Sequence, residues 1–169
     1  MQESADYSAA MERKYPEQIV IAIAKDANGK CNPITLGWMM NTSGSPPMLA
    51  ISIGLSRYSL DVIRHARAFV VSMPSMAMTR EVKFFGSRSG RNTDKLAELQ
   101  TPATPATEID CVLLSDAVAN FECRLDSELL TGDHVIFAGE VVASHMNTDP
   151  SVRRIYSLSE GFGGVQRQG

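Results

Sequence analysis

Short apolar runs rich in β-branched residues recur along the chain, and turn residues bound each of them. Runs of this length and composition indicate β-strands. The predicted strands lie at residues 18–24, 34–40, 48–54, 68–73, 119–125 and 134–143. Asn28-Gly29 predicts a tight hairpin turn after the first strand, because Asn and Gly accept positive φ angles.

Three of these strands carry a further signal. Pro33 has no N–H to give to a ladder, so it is expected at the start of the second strand or at a sheet edge. Gly139 predicts a β-bulge or a close approach of another group within the last strand. Apolar and polar side chains alternate over residues 119–125, which predicts a strand with one face in solvent. The side chains expected on that solvated face are Asn120, Glu122 and Arg124.

Short helices and loops separate the strands. Helices are predicted at residues 59–66, 79–85 and 93–99, the first with Ser59 as its N-cap. The segments rich in turn residues, which predict loops, are 41–47, 86–90 and 101–107. No regular βαβ rhythm is present, so the pattern favours an antiparallel barrel or sandwich.

The two ends of the chain are polar and contribute little to the predicted core. Residues 1–14 are expected to form a polar N-terminal arm, and residues 148–169 a C-terminal tail. The arm carries acidic residues, so it does not read as a signal or transit peptide. The predicted domain therefore spans residues 15–147.

Composition narrows the class of protein without selecting a function. The chain has 169 residues, of which 44% are hydrophobic and 21% charged, as expected for one soluble domain. Its formal net charge of −3 argues against nucleic acid as a partner. No apolar run approaches the ~18 residues of a membrane span.

The three cysteines point to a cytoplasmic protein with reduced thiols. Cys31, Cys111 and Cys123 are an odd number without CxxC spacing, so neither a disulfide scaffold nor a zinc ribbon is expected. The three histidines are far apart in sequence, and no metal site is predicted from them. The HExxH, GxSxG and P-loop motifs are also absent from the sequence.

Residues 51–63 (ISIGLSRYSLDVI) contain a candidate anion site. Ser56, Arg57 and Ser59 stand directly before a predicted helix, where free N–H groups and the helix dipole attract phosphate. Arg57 would add a charge-assisted hydrogen bond. The alternative is that Ser59 only caps the helix while Arg57 is solvated. The charged loop at 86–91 has the same two interpretations.

Two further positions are open between a ligand role and a structural one. His134 follows Gly132-Asp133 at the base of a predicted strand. It is either a donor aimed at a ligand or a strand-end histidine bonded to backbone. Trp38, with its neighbours Met39 and Met40, either lines an aromatic pocket or packs in the core.

The order of these motifs resembles the flavin reductase-like family of FMN-binding split barrels, and within it the flavoredoxin branch. Each motif is weak alone, and the resemblance depends on the ordered series. The motifs are NPITLGW at 32–38, PPM at 46–48, ISIG at 51–54, SRYS at 56–59, FVVS at 69–72, GSRSG at 86–90, Asp94-Lys95, GDH at 132–134 and GEV at 139–141. The resemblance implies a mainly β fold: a six-stranded antiparallel split β-barrel with a few short helices. It also implies a homodimer that holds FMN non-covalently near the subunit interface.

The resemblance assigns residues to successive parts of the cofactor. The implied contacts are Asn32, Thr35, Leu36, Trp38, Met39, Met40 and Asn41 at the isoalloxazine ring; Ser52 and Gly54 at the ribityl chain; Ser56, Arg57 and Ser59 at the phosphate; and Ser87, Ser89 and Lys95 in a further segment near the cofactor. His134 matches the family's GDH histidine, near the flavin or the incoming nicotinamide.

The implied activity is that of an NAD(P)H-dependent flavin reductase-like oxidoreductase. Hydride would pass from nicotinamide C4 to flavin N5, and electrons would then pass to free flavin, ferric iron or a redox protein. Hydride transfer needs no protein acid or base, in keeping with the absence of a catalytic dyad. The alternative is a flavoredoxin-type FMN electron carrier with little nicotinamide turnover.

Overall fold

The computed structural model describes residues 1–165 and contains short helices among many antiparallel strands. The helices are α1 (Tyr7–Met11), α2 (Tyr58–Ala66), α3 (Thr79–Ser87) and α4 (Lys95–Leu99), with 3-10 turns at Glu12–Lys14 and Met76–Met78. The strands are β1 (Glu17–Gln18), β2 (Val20–Lys25), β3 (Cys31–Leu36), β4 (Met39–Gly44), β5 (Pro47–Gly54), β6 (Ala68–Met73), β7 (Ala103–Pro105), β8 (Val112–Leu114), β9 (Ala119–Thr131), β10 (His134–Met146), β11 (Arg154–Ser157) and β12 (Phe162–Val165).

The strands form one large sheet and two small ones. The large sheet has seven strands in the order β3-β2-β6-β9-β10-β5-β4, and the small sheets are β1-β11-β12 and β7-β8. The strand pairs are antiparallel throughout these sheets. The mainly β, antiparallel prediction is confirmed, although the large sheet has seven strands where six were expected.

The extra strand arises at a break that the apolar pattern does not show. The predicted strand at 34–40 is two strands, since β3 ends at Leu36 and β4 begins at Met39. A side chain at Gly37 would begin 2.9 Å from the Glu17 carboxyl carbon, so a larger residue at this break would have to displace the Glu17 side chain. The predicted loop at 41–47 was wrong, because most of it is β4. As an edge strand, β4 leaves polar side chains in solvent.

Both faces of the central strands are buried. Along β2, Val20 and Ala22 pack into one hydrophobic cluster, while Ile21 and Ile23 pack into a second cluster on the opposite face. Such double burial explains the uninterrupted apolar run from residue 19 to residue 24. Helix α2 completes the first cluster, and helices α3 and α4 with β8 cover the second.

The polar face predicted on β9 is not solvated as a whole. Arg124 is exposed, but Asn120 and Glu122 are buried beneath the segment that contains β7 and β8. The Glu122 carboxylate accepts hydrogen bonds from the backbone N–H of Thr107, Glu108 and Ile109 at 2.7–3.1 Å. It also pairs with His145 Nε2 at 2.7 Å. A buried carboxylate therefore holds this segment on the sheet, which alternation alone could not reveal.

The C-terminal tail is attached to the body of the protein. Its strands β11 and β12 form a sheet with β1, and Ile155 is fully buried in the second cluster. Residues 166–169, also assigned to the tail, lie outside the described residues. At the other end, no residue of α1 or of the Glu12–Lys14 turn is buried.

Three local predictions are confirmed. Gly29 has a φ of 81° in the turn between β2 and β3. Pro33 lies in β3, an edge strand of the large sheet. At Gly139 the register with β9 shifts, and a side chain there would begin 2.9 Å from the Phe69 ring.

Replacing Glu122 with Gln should lower the free energy of unfolding. Burial opposes ionisation of Glu122, but its hydrogen bonds outweigh burial and lower its pKa from 4.5 to about 2. At 1.36 kcal/mol per pKa unit, the charged form contributes about 3 kcal/mol of stability at pH 7. Because the folded-state pKa is depressed, this contribution is complete above pH 4.5 and disappears as the pH falls towards 2. Urea unfolding at pH 7 measures the stability that Glu122→Gln loses, and unfolding at pH 3 measures how far that loss declines in acid.

The matched control is Glu140→Gln, since Glu140 is exposed on the neighbouring strand β10. We expect it to change stability by less than about 0.5 kcal/mol. Equal stability of the Glu122→Gln and Glu140→Gln proteins at pH 7 would contradict the role given to Glu122.

Candidate functional site

A cavity of about 160 Å³, here called the basic cavity, lies between the start of α2 and the end of α3. Its walls bring together all six residues predicted at the phosphate and the flanking segment. They are Ser56, Arg57, Ser59, Ser87, Ser89 and Lys95. These residues come from three separate stretches of the sequence, so the fold assembles a group of hydroxyls and cations that no single motif contains.

The start of α2 has no capping side chain. The N-cap residue is Arg57, whose side chain makes no capping hydrogen bond. Ser59 is not the N-cap as predicted, because it lies inside the helix and is buried. Backbone N–H groups in an uncapped first turn and the positive end of the helix dipole attract anions.

Lys95 is a buried cation in the wall of the basic cavity. It is only 3% exposed, and its Nζ donates to the carbonyl oxygens of Phe85 and Arg88, each at 3.2 Å. Burial, followed by the positive charges of Lys30 and Arg57, lowers the pKa of Lys95 to about 8. An ammonium carries three donors, so one remains for a ligand. An anion in this cavity would relieve the mutual repulsion of the three cations.

Asn32 lies beneath the basic cavity instead of on its wall. Its amide Nδ2 donates to Ser59 Oγ at 2.8 Å, while its Oδ1 is buried without a hydrogen-bond partner in the described structure. The loop packs so closely here that a side chain at Gly90 would begin 1.8 Å from that oxygen. Lys30 Nζ donates to the Gly90 carbonyl at 2.6 Å. Asn32 therefore positions both α2 and the 86–90 loop.

A second cavity of about 180 Å³, here called the aromatic cavity, adjoins the first. Ile34, Arg57 and Gly86 line both cavities, so the two form one continuous groove. Besides Arg57, six of the predicted residues line this part of the groove: Thr35, Leu36, Trp38, Ser52, Gly54 and His134. Its wall includes the edge strand β3, whose outward backbone groups are not used by the sheet. The Thr35 hydroxyl is already engaged, because it donates to the Val82 carbonyl at 2.8 Å.

Trp38 and His134 stand together at the aromatic cavity. Their ring centroids are 4.7 Å apart with an angle of 40° between the planes, and Trp38 is 48% exposed. His134 Nδ1 lies 2.6 Å from the Asp133 carboxylate. That hydrogen bond, followed by the charge of His134, lowers the pKa of Asp133. The His134 side chain thus faces the groove and is oriented by a carboxylate, whereas Trp38 is not a core residue.

Besides Asn32, three predicted residues line neither of the two cavities. Met39 is buried in the first hydrophobic cluster. Met40 is exposed and, with Met39, lines an apolar cleft of about 190 Å³, which shares Trp38 and Ser52 with the aromatic cavity. Asn41 lines another groove, beside Met48 and Phe121. Successive side chains of a strand point to opposite faces, and residues 38–41 are accordingly divided among the core and neighbouring clefts.

Tyr58 at the groove was not assigned a role from the sequence, and Arg88 was considered only as part of the charged loop at 86–91. Tyr58 lies in the wall of the basic cavity, and its hydroxyl donates to Asp26 at 3.1 Å. The Arg91 guanidinium stands 5.0 Å from the centre of the Tyr58 ring. Arg88 also lines the basic cavity. The signal in the sequence that could have identified these two residues is their position inside the SRYS and GSRSG motifs.

The charge of the groove has one sign. None of the residues lining the two cavities, within the described part of the chain, is an aspartate or a glutamate. Their charged members are Arg57, Arg88 and Lys95, all at the basic cavity. The groove therefore suits an elongated ligand with an anionic end and a flat aromatic end.

The chain belongs to the family described as the flavin reductase like domain, whose model matches residues 11–159. This match confirms the family predicted from the order of the motifs. Among residues 1–165, no helix combines the length and the apolar character needed to cross a membrane.

Two curated relatives are similar in sequence. An uncharacterized protein of Archaeoglobus fulgidus is 33% identical over 113 residues, which are 67% of this chain and 64% of the relative. The NADH-dependent FMN reductase AsuE2 of Streptomyces nodosus subsp. asukaensis is 26% identical over 126 residues, which are 75% of this chain and 67% of AsuE2. The alignment thus spans slightly less than two thirds of the Archaeoglobus protein.

A solved structure supports the fold. The flavoredoxin of Desulfovibrio vulgaris (Miyazaki F) superposes with a TM-score of 0.85 at 22% identity, over 99% of this chain and 95% of the flavoredoxin. At that identity the likeness concerns the fold, which is the split-barrel fold predicted from the sequence.

Proposed function

We propose that the protein binds FMN in the groove and acts as an NAD(P)H-dependent oxidoreductase of the flavin reductase type. The observation that carries this proposal is the continuity of the groove through Ile34, Arg57 and Gly86, with cations at one end and Trp38 and His134 at the other. The NADH-dependent activity named for the Streptomyces relative gives independent support.

The basic cavity fits the phosphate of FMN. Arg57 and the available donor of Lys95 supply charge, Ser56, Ser87 and Ser89 supply hydroxyls, and the uncapped start of α2 supplies backbone N–H groups. Hydrogen bonds between charged partners are the strong ones, and Arg is suited to bidentate contact with phosphate. Among the described residues, none that lines this cavity carries a carboxylate that would repel the phosphate.

The aromatic cavity fits the isoalloxazine ring. Trp38 offers an aromatic surface, Leu36 an apolar one, and the free edge of β3 offers backbone hydrogen-bond donors. Bound FMN would supply hydride and electron-transfer chemistry, which the protein's side chains do not provide. Backbone N–H groups from β3 would stabilise the negative charge that reduction adds to the ring.

His134 is proposed as the residue beside the flavin or the nicotinamide. The Asp133 carboxylate orients its ring, and the contact with Trp38 keeps it at the mouth of the aromatic cavity. We assign it the positioning of the nicotinamide, because hydride transfer requires alignment of the two reacting atoms and not a proton donor.

The proposed second candidate is a flavoredoxin-type electron carrier with little nicotinamide turnover. The fold similarity to a flavoredoxin favours it. Both candidates use the same FMN site and differ in the reductant, so the rate of NADH oxidation separates them.

A homodimer is proposed as the functional unit. Large apolar side chains are exposed at the β9–β10 hairpin and in β4, where a second copy would cover them. They are Leu129, Leu130 and Met40. Exposed apolar side chains in several neighbouring elements are typical of association surfaces.

Replacing Arg57 with Ala should weaken FMN binding by about ten- to a hundredfold, because a charge-assisted contact is worth about 1.5–3 kcal/mol. Fluorescence titration of the apoprotein with FMN gives the dissociation constant. The control is Arg80→Ala, since Arg80 is exposed on α3 and lines neither cavity. If the Arg57→Ala protein binds FMN as tightly as the Arg80→Ala protein, the phosphate assignment is refuted. If the unmodified chain does not bind FMN, the proposed function is refuted.

The affinity for FMN should fall as the pH rises above 8. Lys95 has a pKa of about 8 without an anion, and a bound phosphate raises that pKa, so binding above pH 8 requires uptake of a proton. The expected loss is up to about tenfold per pH unit until the pKa of the complex is reached. Titrations between pH 7 and pH 9 test this, with Lys95→Met expected to remove the dependence and Lys83→Met, on the exposed face of α3, to retain it. A constant affinity in the unmodified protein would place Lys95 away from the phosphate.

The FMN-loaded protein should oxidise NADH or NADPH in the presence of free flavin, and His134→Ala should slow the reductive step while FMN remains bound. Anaerobic stopped-flow absorbance follows the reduction. The control is His65→Ala, because His65 is exposed on α2 and lines neither cavity. Bound FMN that no nicotinamide reduces would favour the electron carrier. An unchanged rate in His134→Ala would restrict that residue to a structural role.

A further inference from the structure

Two of the three thiols meet outside the groove, where β3 begins. Cys31 is the first residue of β3, and Cys111 immediately precedes β8. The two thiols are neighbours, and the Cys111 thiol donates a hydrogen bond to the Ile23 carbonyl oxygen at 3.5 Å. Cys31 is half-buried, while Cys111 is buried in the second hydrophobic cluster. Eighty positions apart in sequence (111 − 31 = 80), they are brought together by the fold alone.

An ion pair holds the two segments against each other. Lys25 is the cross-strand partner of Cys31, and its Nζ is bonded to the carboxylate of Asp110, the residue before Cys111. The backbone around Cys111 is held as well, because its carbonyl accepts a hydrogen bond from the Ala106 N–H at 3.0 Å. The Lys25–Asp110 ion pair and the Ala106–Cys111 hydrogen bond therefore hold the segment that contains Cys111 next to Cys31.

The surroundings make the two thiols unequal. The neighbouring Cys111 thiol, together with the charge of Lys25, lowers the pKa of Cys31 against the opposing effects of burial and of Asp110 and Asp26. The neighbouring Cys31 thiol and deeper burial raise the pKa of Cys111. The more accessible sulfur is therefore the one that more readily becomes a thiolate, the reactive form of cysteine.

We propose that Cys31 and Cys111 are a reversible redox pair, in which Cys31 reacts with a hydroperoxide and Cys111 closes a disulfide. The Cys31 thiolate attacks the O–O bond, forming an S–O bond and expelling one oxygen, which leaves as water after taking up a proton. The Cys111 sulfur then attacks the Cys31 sulfenic acid. The S–S bond forms, the S–O bond breaks, and the oxygen leaves as a second water with the Cys111 proton. The two thiols lose two electrons and hydrogen peroxide gains them.

The disulfide would join the start of β3 to the residue before β8, which packs in the second hydrophobic cluster. This connection would lie next to the groove. Asn32, which follows Cys31, holds Ser59 and packs against Gly90. Oxidation of the two cysteines would therefore affect the position of Asn32 at the base of the basic cavity. The chemistry of the thiols themselves does not depend on FMN, so it is tested apart from the proposed function.

The test treats the reduced full-length protein with hydrogen peroxide, alkylates the remaining thiols in denaturant and maps the peptides by mass spectrometry. We expect a Cys31–Cys111 peptide within one chain, the mass of two hydrogens lost per chain, and complete reversal by dithiothreitol. Cys123 should remain alkylatable, since burial raises its pKa to about 12 and it lies in the other hydrophobic cluster. Three intact thiols, a disulfide between two chains, or sulfinic acid on Cys31 without the cross-link would each overturn the proposal.

Three variants separate the two roles. Cys111→Ser should form a sulfenic acid on Cys31 that dimedone traps, whereas Cys31→Ser should lose thiols at least about tenfold more slowly than the unmodified protein. Cys123→Ser is the matched control and should form the Cys31–Cys111 disulfide at the unmodified rate. Rapid oxidation of Cys111 in Cys31→Ser would reverse the assigned roles and refute the proposal as stated. The peptide map of the unmodified protein decides the matter even if a serine variant does not fold.

Discussion

The buried hydrogen bond from Asn32 to Ser59 is the contact on which the candidate site depends. It connects the edge strand β3 to the first turn of α2, and the same asparagine lies directly against Gly90 in the loop opposite. The three elements that enclose the basic cavity therefore share one side chain. Since an unpaired buried amide N–H is costly, the hydrogen bond to Ser59 favours keeping β3 against the first turn of α2.

The basic cavity combines groups that are unfavourable in the absence of an anion. Lys95 is buried near Lys30 and Arg57, and burial first and these two charges second lower its pKa. Its two carbonyl partners offset part of this cost and leave one donor. The fold supplies the stability that the site lacks, through two hydrophobic clusters on opposite faces of β2 and β6 and through the buried carboxylate of Glu122.

Prediction succeeded where local pattern and tertiary environment agree. The apolar runs of β2, β5 and β6 are strands because their β-branched residues can be buried on a pleated surface, and Gly139 marks a true bulge. Prediction failed at β4, whose polar sequence reads as a loop but pairs with β5 at a sheet edge. It failed at Glu122 as well, because alternation shows which residues share a face and not what covers that face. The same limit applies to residues 38–41, which strand geometry divides among the core and three clefts.

The sequence by itself determined the antiparallel β class, the family and the segments that carry the site, because these follow from local periodicity and from motifs in a fixed order. Tertiary structure alone decided which of those segments touch. It brought Lys95 to Arg57, His134 to Trp38 and Cys31 to Cys111, and it placed Asn32 under the cavity instead of in its wall. Contacts between residues so far apart in the chain depend on the register of strands and the packing of helices, which no local pattern encodes.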